Sequence, residues 1–203
     1  MAYAELLEEG DLNRLQREDY HREIRLAVNR MNDLISLLLE SSMDPATFRP
    51  EIADIPDTVK RAIRVAAVRP EFRRIVIRYD HEGLTEGGFD PRGLQQVVTN
   101  IVLNACEAVP PDSGRIQVTS VGRQDGLEIR IADNGPGIPE PVRHLVFQPF
   151  VSYGKEGGTG LGLAIAQKIM RDRCGEIYLD TAAKEGTVFR LVLPFVSRLG
   201  HEC

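Results

Sequence analysis

The chain has 203 residues, of which 42% are hydrophobic and 27% charged, with 18 glycines, 12 prolines and no tryptophan. This composition is typical of an ordinary globular protein and excludes collagen-like, disordered and disulfide-stapled chains. The formal net charge of -5 provides no overall basic surface for a phosphate backbone, so nucleic acid is not an expected partner.

The apolar runs and the cysteines bear on where the chain works. The longest apolar runs, such as 37–39 and 101–103, are far shorter than the ~20 residues of a membrane-spanning helix, and no leader sequence precedes a cleavage site. Cys106, Cys174 and Cys203 are an odd number at wide spacings, which indicates neither a disulfide framework nor a zinc site. We therefore expect a cytoplasmic chain with no membrane segment, although a full-length protein could be anchored in a membrane.

The first 45 residues favour a helical hairpin. Apolar residues at steps of four and three form a heptad seam in the sequence: Ile24, Val28, Met31, Ile35 and Leu38. We predict an amphipathic helix over 18–41, preceded by a helix over 2–9 and a turn at 10–13. Because a two-turn arm cannot bury the seam alone, residues 1–45 are predicted to form a homodimer in a four-helix arrangement. The alternative is that the long helix packs on its own domain.

The rest of the chain alternates helices and strands. Residues 46–56 are predicted to be a proline-punctuated linker, 57–196 a second domain and 197–203 a tail. The predicted helices are 57–68, 91–108 and 161–173, and the predicted strands are 74–79, 115–121, 127–133, 176–180 and 187–193. Short loops between the last strands favour a mixed α/β sandwich with one helical layer over a doubly wound parallel sheet.

Asn100 and Asn104 lie one turn apart on the predicted helix 91–108. Asparagine is a poor helix former, so two of them inside a helix need solvent or a bound polar group. Solvated surface asparagines are one interpretation. The other is that their amide oxygens meet Mg²⁺ and phosphate, since Mg²⁺ prefers oxygen ligands.

Two further polar clusters follow in the sequence. The first comes directly after a predicted strand, where glycine and proline supply a tight bend and Asp133 could accept a hydrogen bond from an exocyclic amine. The second leads into a helix whose first backbone N–H groups could bind phosphate, with Lys155 adding a mobile charge. Its spacing matches neither the P-loop nor the dinucleotide fingerprint. The clusters are Asp133-Asn134-Gly135-Pro136-Gly137-Ile138-Pro139 and Gly157-Gly158-Thr159-Gly160-Leu161-Gly162-Leu163.

In this order the three clusters resemble the N, G1 and G2 boxes of the GHKL superfamily of ATP-binding domains. Residues 147–150 (FQPF) resemble the F box of sensor histidine kinases, and Gly186-Thr187 resembles the closing strand motif. The resemblance covers residues 90–194, and within it residues 147–164 (FQPFVSYGKEGGTGLGLA) are most similar to soluble nitrogen-regulatory-type kinases. The hairpin resembles the latter part of a dimerisation and phosphotransfer domain. It implies an α+β, two-layer α/β sandwich of the GHKL (Bergerat) type, preceded by an α-helical hairpin.

The resemblance also implies an activity: transfer of the ATP γ-phosphoryl group to a histidine, for relay to an aspartate of a response regulator receiver domain. It implies that Asn104 coordinates Mg²⁺, that Asp133 reads the adenine amine, and that Lys155 belongs to a lid over the phosphates. The lid is expected to be anchored at its other end by Phe147 and Phe150. The implied ATP-binding residues are Asn100, Asn104, Asp133, Gly135, Gly137, Ile138, Phe150, Lys155, Gly158, Thr159, Gly160, Leu161, Gly162 and Thr187.

Two departures from the family pattern concern the reaction. Superfamily members that hydrolyse ATP have a glutamate four residues before the metal-binding asparagine, and here that position is Asn100. The resemblance therefore implies transfer rather than hydrolysis, with Glu107 as a nearby alternative base or a merely solvated side chain. In addition, none of the four histidines fits the family's acceptor motif: His21, His81, His144 and His201.

We expect the acceptor histidine to lie upstream of this chain, and a histidine on another chain is the alternative. Two other functions fit the same sequence. One is a non-catalytic ATP-sensing or dimer scaffold module, and the other is a GHKL protein-serine kinase of the anti-sigma type.

Overall fold

A computed structural model describes residues 50–152, 159–180 and 185–196, together with scattered positions from Arg17 to Ile35. Every described position in that first stretch is helical, as predicted for 18–41. The predicted helix 2–9 and turn 10–13 lie outside the described residues. Three seam residues are 49%, 61% and 50% exposed: Val28, Met31 and Ile35. The seam is therefore not buried against the chain's own domain at these positions, and dimerisation through it stays a prediction.

The domain alternates strands and helices along the chain. The strands are β1 (Glu51–Asp54), β2 (Val76–Gly83), β3 (Glu86–Phe89), β4 (Arg115–Gly122), β5 (Gly126–Asp133), β6 (Glu176–Leu179) and β7 (Val188–Pro194). The α-helices are α1 (Ile55–Ala67), α2 (Pro91–Ala108), α3 (Glu140–Arg143) and α4 (Gly162–Arg171), and a 3₁₀ turn spans Pro70–Phe72. The long predicted elements are confirmed, with ends that shift by a few residues.

Five strands form one sheet in the order β2-β4-β5-β7-β6, in which β2 is parallel to β4 and the other neighbours are antiparallel. Alternate residues of β4 and β5, such as Ile116, Val118, Ile129 and Ile131, are buried in a core shared with α1, α2 and α4. The opposite face of the sheet is mostly exposed or half-buried. This two-layer sandwich confirms the predicted fold class.

The predicted linker 46–56 differs from the structure in its second half. Residues 51–54 form β1, which pairs antiparallel with β3. Helix α1 begins at Ile55 because the Asp54 side chain caps it by accepting the backbone N–H of Asp57. Strand β3 was not predicted, since its sequence EGGF has no alternation. A Cβ atom at Gly87 would overlap the ring of Phe195, so this strand needs glycine where the segment directly after β7 crosses it.

A buried ion pair joins α2 to the end of α4. Asp90 caps α2 through Oδ1, which accepts the backbone N–H of Arg92 at 3.0 Å. The other oxygen of Asp90 lies 2.6 Å from Nε of Arg173, whose Nη1 also donates to the carbonyl of Ile169. Arg173 is only 9% exposed, and a Cβ atom at Gly93 would overlap the pair. This joint sets the relative position of the two helices that supply the candidate site.

The described cysteines have different environments. Cys106 on α2 is buried with a free thiol, and its burial, assisted by the charge of Glu107, raises its pKa to about 11. Cys174, after α4, is disulfide-bonded. Within the described residues, no helix combines the length and apolar character that a bilayer crossing requires.

Candidate functional site

Helix α2 brings its two asparagines to the start of α4. Asn100 Nδ2 donates a hydrogen bond of 3.0 Å to the carbonyl of Gly162. A Cβ atom at Gly162 would lie 3.9 Å from both Asn100 Cγ and Asn104 Nδ2, and both asparagines are half-buried. The two predicted clusters therefore meet, and the amide nitrogen of Asn100 holds the backbone of the glycine-rich segment.

Asp133 ends β5 in a fixed orientation. Its Oδ1 accepts the backbone N–H of Gly135 at 2.8 Å and that of Thr187 at 3.2 Å. The backbone N–H of Asp133 donates in turn to the carbonyl of Thr187 at 2.9 Å, and Thr187 is 7% exposed. The carboxylate, the following turn and the start of β7 are thus one hydrogen-bonded unit.

Two glycines make this close approach possible. Gly137 and Gly186 both have positive φ, 78° and 72°, in the left-handed region that favours glycine. A Cβ atom at Gly186 would overlap the carbonyl oxygen of Asp133, and one at Gly137 would lie 3.0 Å from the carbonyl oxygen of Gly186. A Cβ atom at Gly135 would lie 2.9 Å from Asp133 Oδ1. The turn after β5 and the loop before β7 therefore pack backbone to backbone.

Asn134 is a structural residue that the sequence analysis did not single out. Its Oδ1 accepts the backbone N–H of Arg115 at 2.7 Å, and its Nδ2 donates to the carbonyl of Ser113 at 3.1 Å. These bonds tie the turn after β5 to the start of β4. An asparagine directly after a strand is a general signal for such side-chain to backbone bonds, although it does not identify their partners.

The F box meets the end of the glycine-rich segment. The backbone N–H of Phe150 donates to the carbonyl of Gly160 at 3.0 Å, and a Cβ atom at Gly160 (φ 66°) would overlap the backbone of Phe150. The two ends of the intervening segment are therefore held together. Thr159 Oγ1 accepts the backbone N–H of Leu161 at 3.3 Å. Lys155 and Gly158 lie outside the described residues.

The two F-box phenylalanines differ in their surroundings. Phe147 packs edge-to-face on Phe189, with ring centroids 6.2 Å apart. The Phe150 side chain is 68% exposed, and its backbone has a positive φ of 67°. Phe150 therefore contacts the glycine-rich segment through its backbone N–H and not through its ring, and the anchoring of a lid by the two phenylalanines stays a prediction.

A small cleft lies beside the Asp133 unit. Arg143 lines it from α3, and its Nε donates to the carbonyl of Ile138 at 2.9 Å. The remaining lining residues come from the turn after β5, the end of β6 and the loop before β7: Ile138, Leu179, Asp180, Gly186 and Thr187. Arg143 belongs to none of the sequence motifs. Its hydrogen bond to the carbonyl of Ile138 stabilises the segment after Gly137.

The donor chemistry of the site suits Mg²⁺ better than a transition metal. No group of three or more histidine, cysteine or carboxylate side chains occurs together in the part of the chain that the structure describes. The neutral amides of Asn100 and Asn104 flank the N-terminus of α4 instead. A hard cation that keeps water ligands and shares phosphate oxygens fits such a set.

The described histidines lie outside this site. His81 is part of β2, where its Nδ1 is 2.7 Å from Ser120 Oγ, which also bonds to Tyr79 Oη. His21 and His144 are exposed, on the first helix and just after α3. Glu107 is exposed on α2.

Comparisons with known proteins agree with this architecture. The family described as "Histidine kinase-, DNA gyrase B-, and HSP90-like ATPase" matches residues 89–197, and the chain belongs to this family. The sensory histidine kinase/phosphatase NtrB of Escherichia coli O157:H7 is 33% identical over 186 residues, which are 87% of this chain and 52% of that protein. The chain thus spans about half the length of this relative.

Two further matches narrow the type of domain. The nitrogen regulation protein NtrY of Azorhizobium caulinodans is 45% identical over 112 residues, covering 52% of this chain and 14% of that protein. A solved structure of the mycobacterial sensor histidine kinase MprB is 31% identical, with a TM-score of 0.63, and covers 71% of this chain and 98% of that one. The chain therefore contains an ATP-binding catalytic region of the sensor histidine kinase type.

Proposed function

We propose that this chain transfers the γ-phosphoryl group of ATP to a histidine, from which a receiver-domain aspartate takes it. The observation that supports this most directly is that helix α2 contacts both other clusters: Asn100 bonds to Gly162, and a Cβ atom at Gly135 would lie 3.1 Å from the carbonyl oxygen of Ala108, one turn beyond Asn104. Asp133 with Thr187 forms one end, and Asn100 and Asn104 with the start of α4 form the other.

Asp133 is the residue we propose to recognise adenine. Its Oδ1 is oriented by the backbone N–H groups of Gly135 and Thr187. A carboxylate accepts hydrogen bonds, so it matches the exocyclic amine of adenine and not the carbonyl that guanine has at the same place. Gly137 and Ile138 would border the base, and Arg143 would keep their segment in position.

The asparagines and α4 are proposed to hold the phosphates. The first backbone N–H groups of α4 and the positive end of its dipole favour an anion. Asn104 would hold Mg²⁺ through its amide oxygen, and when bound the ion would neutralise phosphate charge. Asn100 would act partly through its hydrogen bond to Gly162, which fixes the start of α4. Lys155 and the amides of residues 158–161 are proposed to close over the phosphates.

The residue at position 100 favours transfer over hydrolysis. An amide cannot take a proton from an attacking water, as a carboxylate does in general base catalysis. With no activated water, phosphoryl transfer depends on positioning an acceptor in line with the γ-phosphate. We infer that this acceptor is a histidine other than the four in this chain.

Three further features are part of the proposal. The exposed seam of the N-terminal helix supports homodimerisation through residues 1–45. The receiver domain of a response regulator is the proposed partner. We place the reaction in the cytoplasm, where such a receiver domain and ATP are available.

Substitution of Asn104 and Asp133 tests the site. In Asn104→Ala and Asp133→Ala, we expect affinity for a fluorescent ATP analogue with magnesium to fall roughly 10- to 100-fold, the effect of one lost hydrogen bond to a charged group. Gln96→Ala is the matched control, because Gln96 is on the same helix two turns before Asn104 but lines a groove beside α1. Unchanged affinity in both site variants would contradict the assignment.

Phosphotransfer itself needs a supplied acceptor. The chain, an acceptor helix from a histidine kinase and ATP labelled on the γ-phosphate are incubated together, and acid-labile phosphohistidine is the expected product. A chain that binds ATP but never forms phosphohistidine would be the ATP-sensing scaffold. An acid-stable product would indicate the protein-serine kinase.

A further inference from the structure

The sheet face opposite the helices has a concentration of arginines at one end. Four strands each place one exposed arginine on this face: Arg78, Arg115, Arg130 and Arg190. We call these four residues the arginine face. Arg115, Gln117 and Thr119 are alternate residues of β4 and therefore lie on one face of the sheet. Arg78 pairs with Gln117, and Arg130 pairs with Thr119, so both of these arginines are on that face as well.

Two of these arginines are direct cross-strand neighbours. Arg130 on β5 is opposite Arg190 on β7 in the antiparallel register, and like charges in this position destabilise a sheet. The Arg190 guanidinium lies over the ring of Tyr178, 4.8 Å from its centroid. No carboxylate among the described residues forms an ion pair with the arginine face. Asp80 shares a row with Arg130, but its carboxylate accepts from Gln117 Nε2 at 2.7 Å.

The other end of the same sheet face is acidic. The next row along the strands, about 6.6 Å away at two residues of rise, contains Glu82, Glu128 and Glu176. A nucleic acid duplex or an anionic membrane extends well beyond the arginine face and would meet these glutamates. A short acidic protein segment can place its carboxylates on the arginines alone, so the charge pattern favours such a segment.

The most acidic run outside the described residues is the N-terminal one. Residues 1–13 contain four carboxylates and no lysine or arginine: Glu5, Glu8, Glu9 and Asp11. With Arg14, the undescribed run 1–16 has a net charge of -3, whereas the runs 36–49, 153–158, 181–184 and 197–203 have net charges of -1, 0, +1 and 0. We propose that residues 1–13 dock on the arginine face, in the same chain or in a second copy.

Chain length permits this contact. Residues 42–49, between the end of the predicted helix 18–41 and the domain, could reach about 26 Å if fully extended, which is the length of an eight-residue strand such as β2. Exposed ion pairs contribute little each and are screened by salt, so the contact is reversible. Docking would connect the predicted dimerisation hairpin to the catalytic domain and restrain the domain. The contact does not depend on the proposed function, because no ATP-site residue takes part.

Zero-length coupling in the full chain tests the contact. Arg130→Lys and Arg190→Lys keep the positive charge and introduce an amine that a carbodiimide can join to a nearby carboxylate. We expect mass spectrometry to identify crosslinks from the introduced amine to Glu5, Glu8, Glu9 or Asp11. Their yield should fall at least about threefold in 1 M salt, where the Debye length is near 3 Å. A monomer or dimer mass distinguishes docking within a chain from docking between copies.

The controls decide whether coupling is specific. Arg123 lies beside the acidic end of the sheet face, with its Nη1 3.6 Å from Glu128 Oε2. The lysine in Arg123→Lys should therefore couple to Glu128 but not to residues 1–13. Native Lys60, exposed on the helix side, should not couple to residues 1–13 either. Equal coupling from these controls, or none from positions 130 and 190 while the Glu128 crosslink forms, would overturn the proposal. The proposal would also be overturned if the chain formed no such crosslinks but bound phosphatidylserine vesicles or duplex DNA, and if the double variant Arg130→Glu with Arg190→Glu abolished that binding.

Discussion

At the scale of single residues, substitution can separate the structural role of Asp133 from the adenine contact proposed for it. Asp133→Asn retains an Oδ1 acceptor for the N–H groups of Gly135 and Thr187, so the free energy of unfolding should change by less than about 1 kcal/mol. Affinity for the ATP analogue should fall at least about tenfold, because the negative charge is lost. Asp133→Ala should lower both the free energy of unfolding and the affinity for the ATP analogue. Urea unfolding and nucleotide titration measure the two effects, and equal destabilisation by the two variants would contradict the expected separation.

The glycines of the site differ in what they tolerate. Gly186→Ala should destabilise the fold by about 2 kcal/mol or more, because it combines a positive φ with overlap on the Asp133 carbonyl. Gly162→Ala is the matched control, since its added Cβ would meet nothing closer than 3.9 Å. This second variant should leave stability unchanged or raise it by up to about 1 kcal/mol. Thermal unfolding compares them, and similar melting temperatures would show that the overlap relaxes.

At the scale of elements, α2 and α4 form a unit that the Asp90–Arg173 pair holds. The pair lies at the N-terminus of α2, whereas Asn100 and Asn104 lie two to four turns further along the helix. It therefore acts on the site by setting the helix positions and not by touching a ligand.

Arg173→Met should destabilise the fold by about 3 kcal/mol, because Asp90 would remain largely buried without its partner. Lys168→Met removes the more exposed Lys168–Asp172 pair and should change stability by less than about 1 kcal/mol. Chemical unfolding gives both values. If the two variants lowered the free energy of unfolding equally, the Asp90–Arg173 pair would contribute no more than an exposed ion pair.

At the scale of the whole molecule, stability should decline in alkali. Burial, with a smaller contribution from Glu107, raises the pKa of Cys106 from 9.0 to about 11. Between these values the unfolded thiol has lost its proton while the folded thiol keeps it, so the free energy of unfolding falls as pH rises from about 9 to about 11. Burial also raises the pKa of Tyr79, which acts in the same direction at higher pH.

Denaturation midpoints at pH 7 to 11 measure this decline. Cys106→Ala should have a flatter profile than the parent chain, although it is less stable at pH 7 because it lacks the buried sulfur. Identical pH profiles for the two chains would mean that the thiol is not responsible.

Local patterns were enough for the long elements and for the three clusters proposed to form the site. Helix 91–108 has apolar residues at helical spacing and an N-cap with proline, and β4 and β5 alternate regularly, so neighbouring residues determine these elements. The asparagine pair, the Asp133 turn and the glycine-rich segment were likewise visible as residue types at fixed spacings. Strands β1 and β3 were missed because four residues without alternation form a strand only when a partner from elsewhere in the chain supplies the hydrogen bonds.

By itself, the sequence determined the fold class and indicated the three clusters proposed to form the site, since side-chain chemistry and periodicity are properties of adjacent positions. Tertiary structure decided what those residues touch. The Asn100 bond to Gly162, the Thr187 N–H group on Asp133 and the bond from the Phe150 N–H to the Gly160 carbonyl all join segments distant in the chain. The pairing of Arg130 with Arg190 is of the same kind, because strand register depends on the packing of the whole sheet.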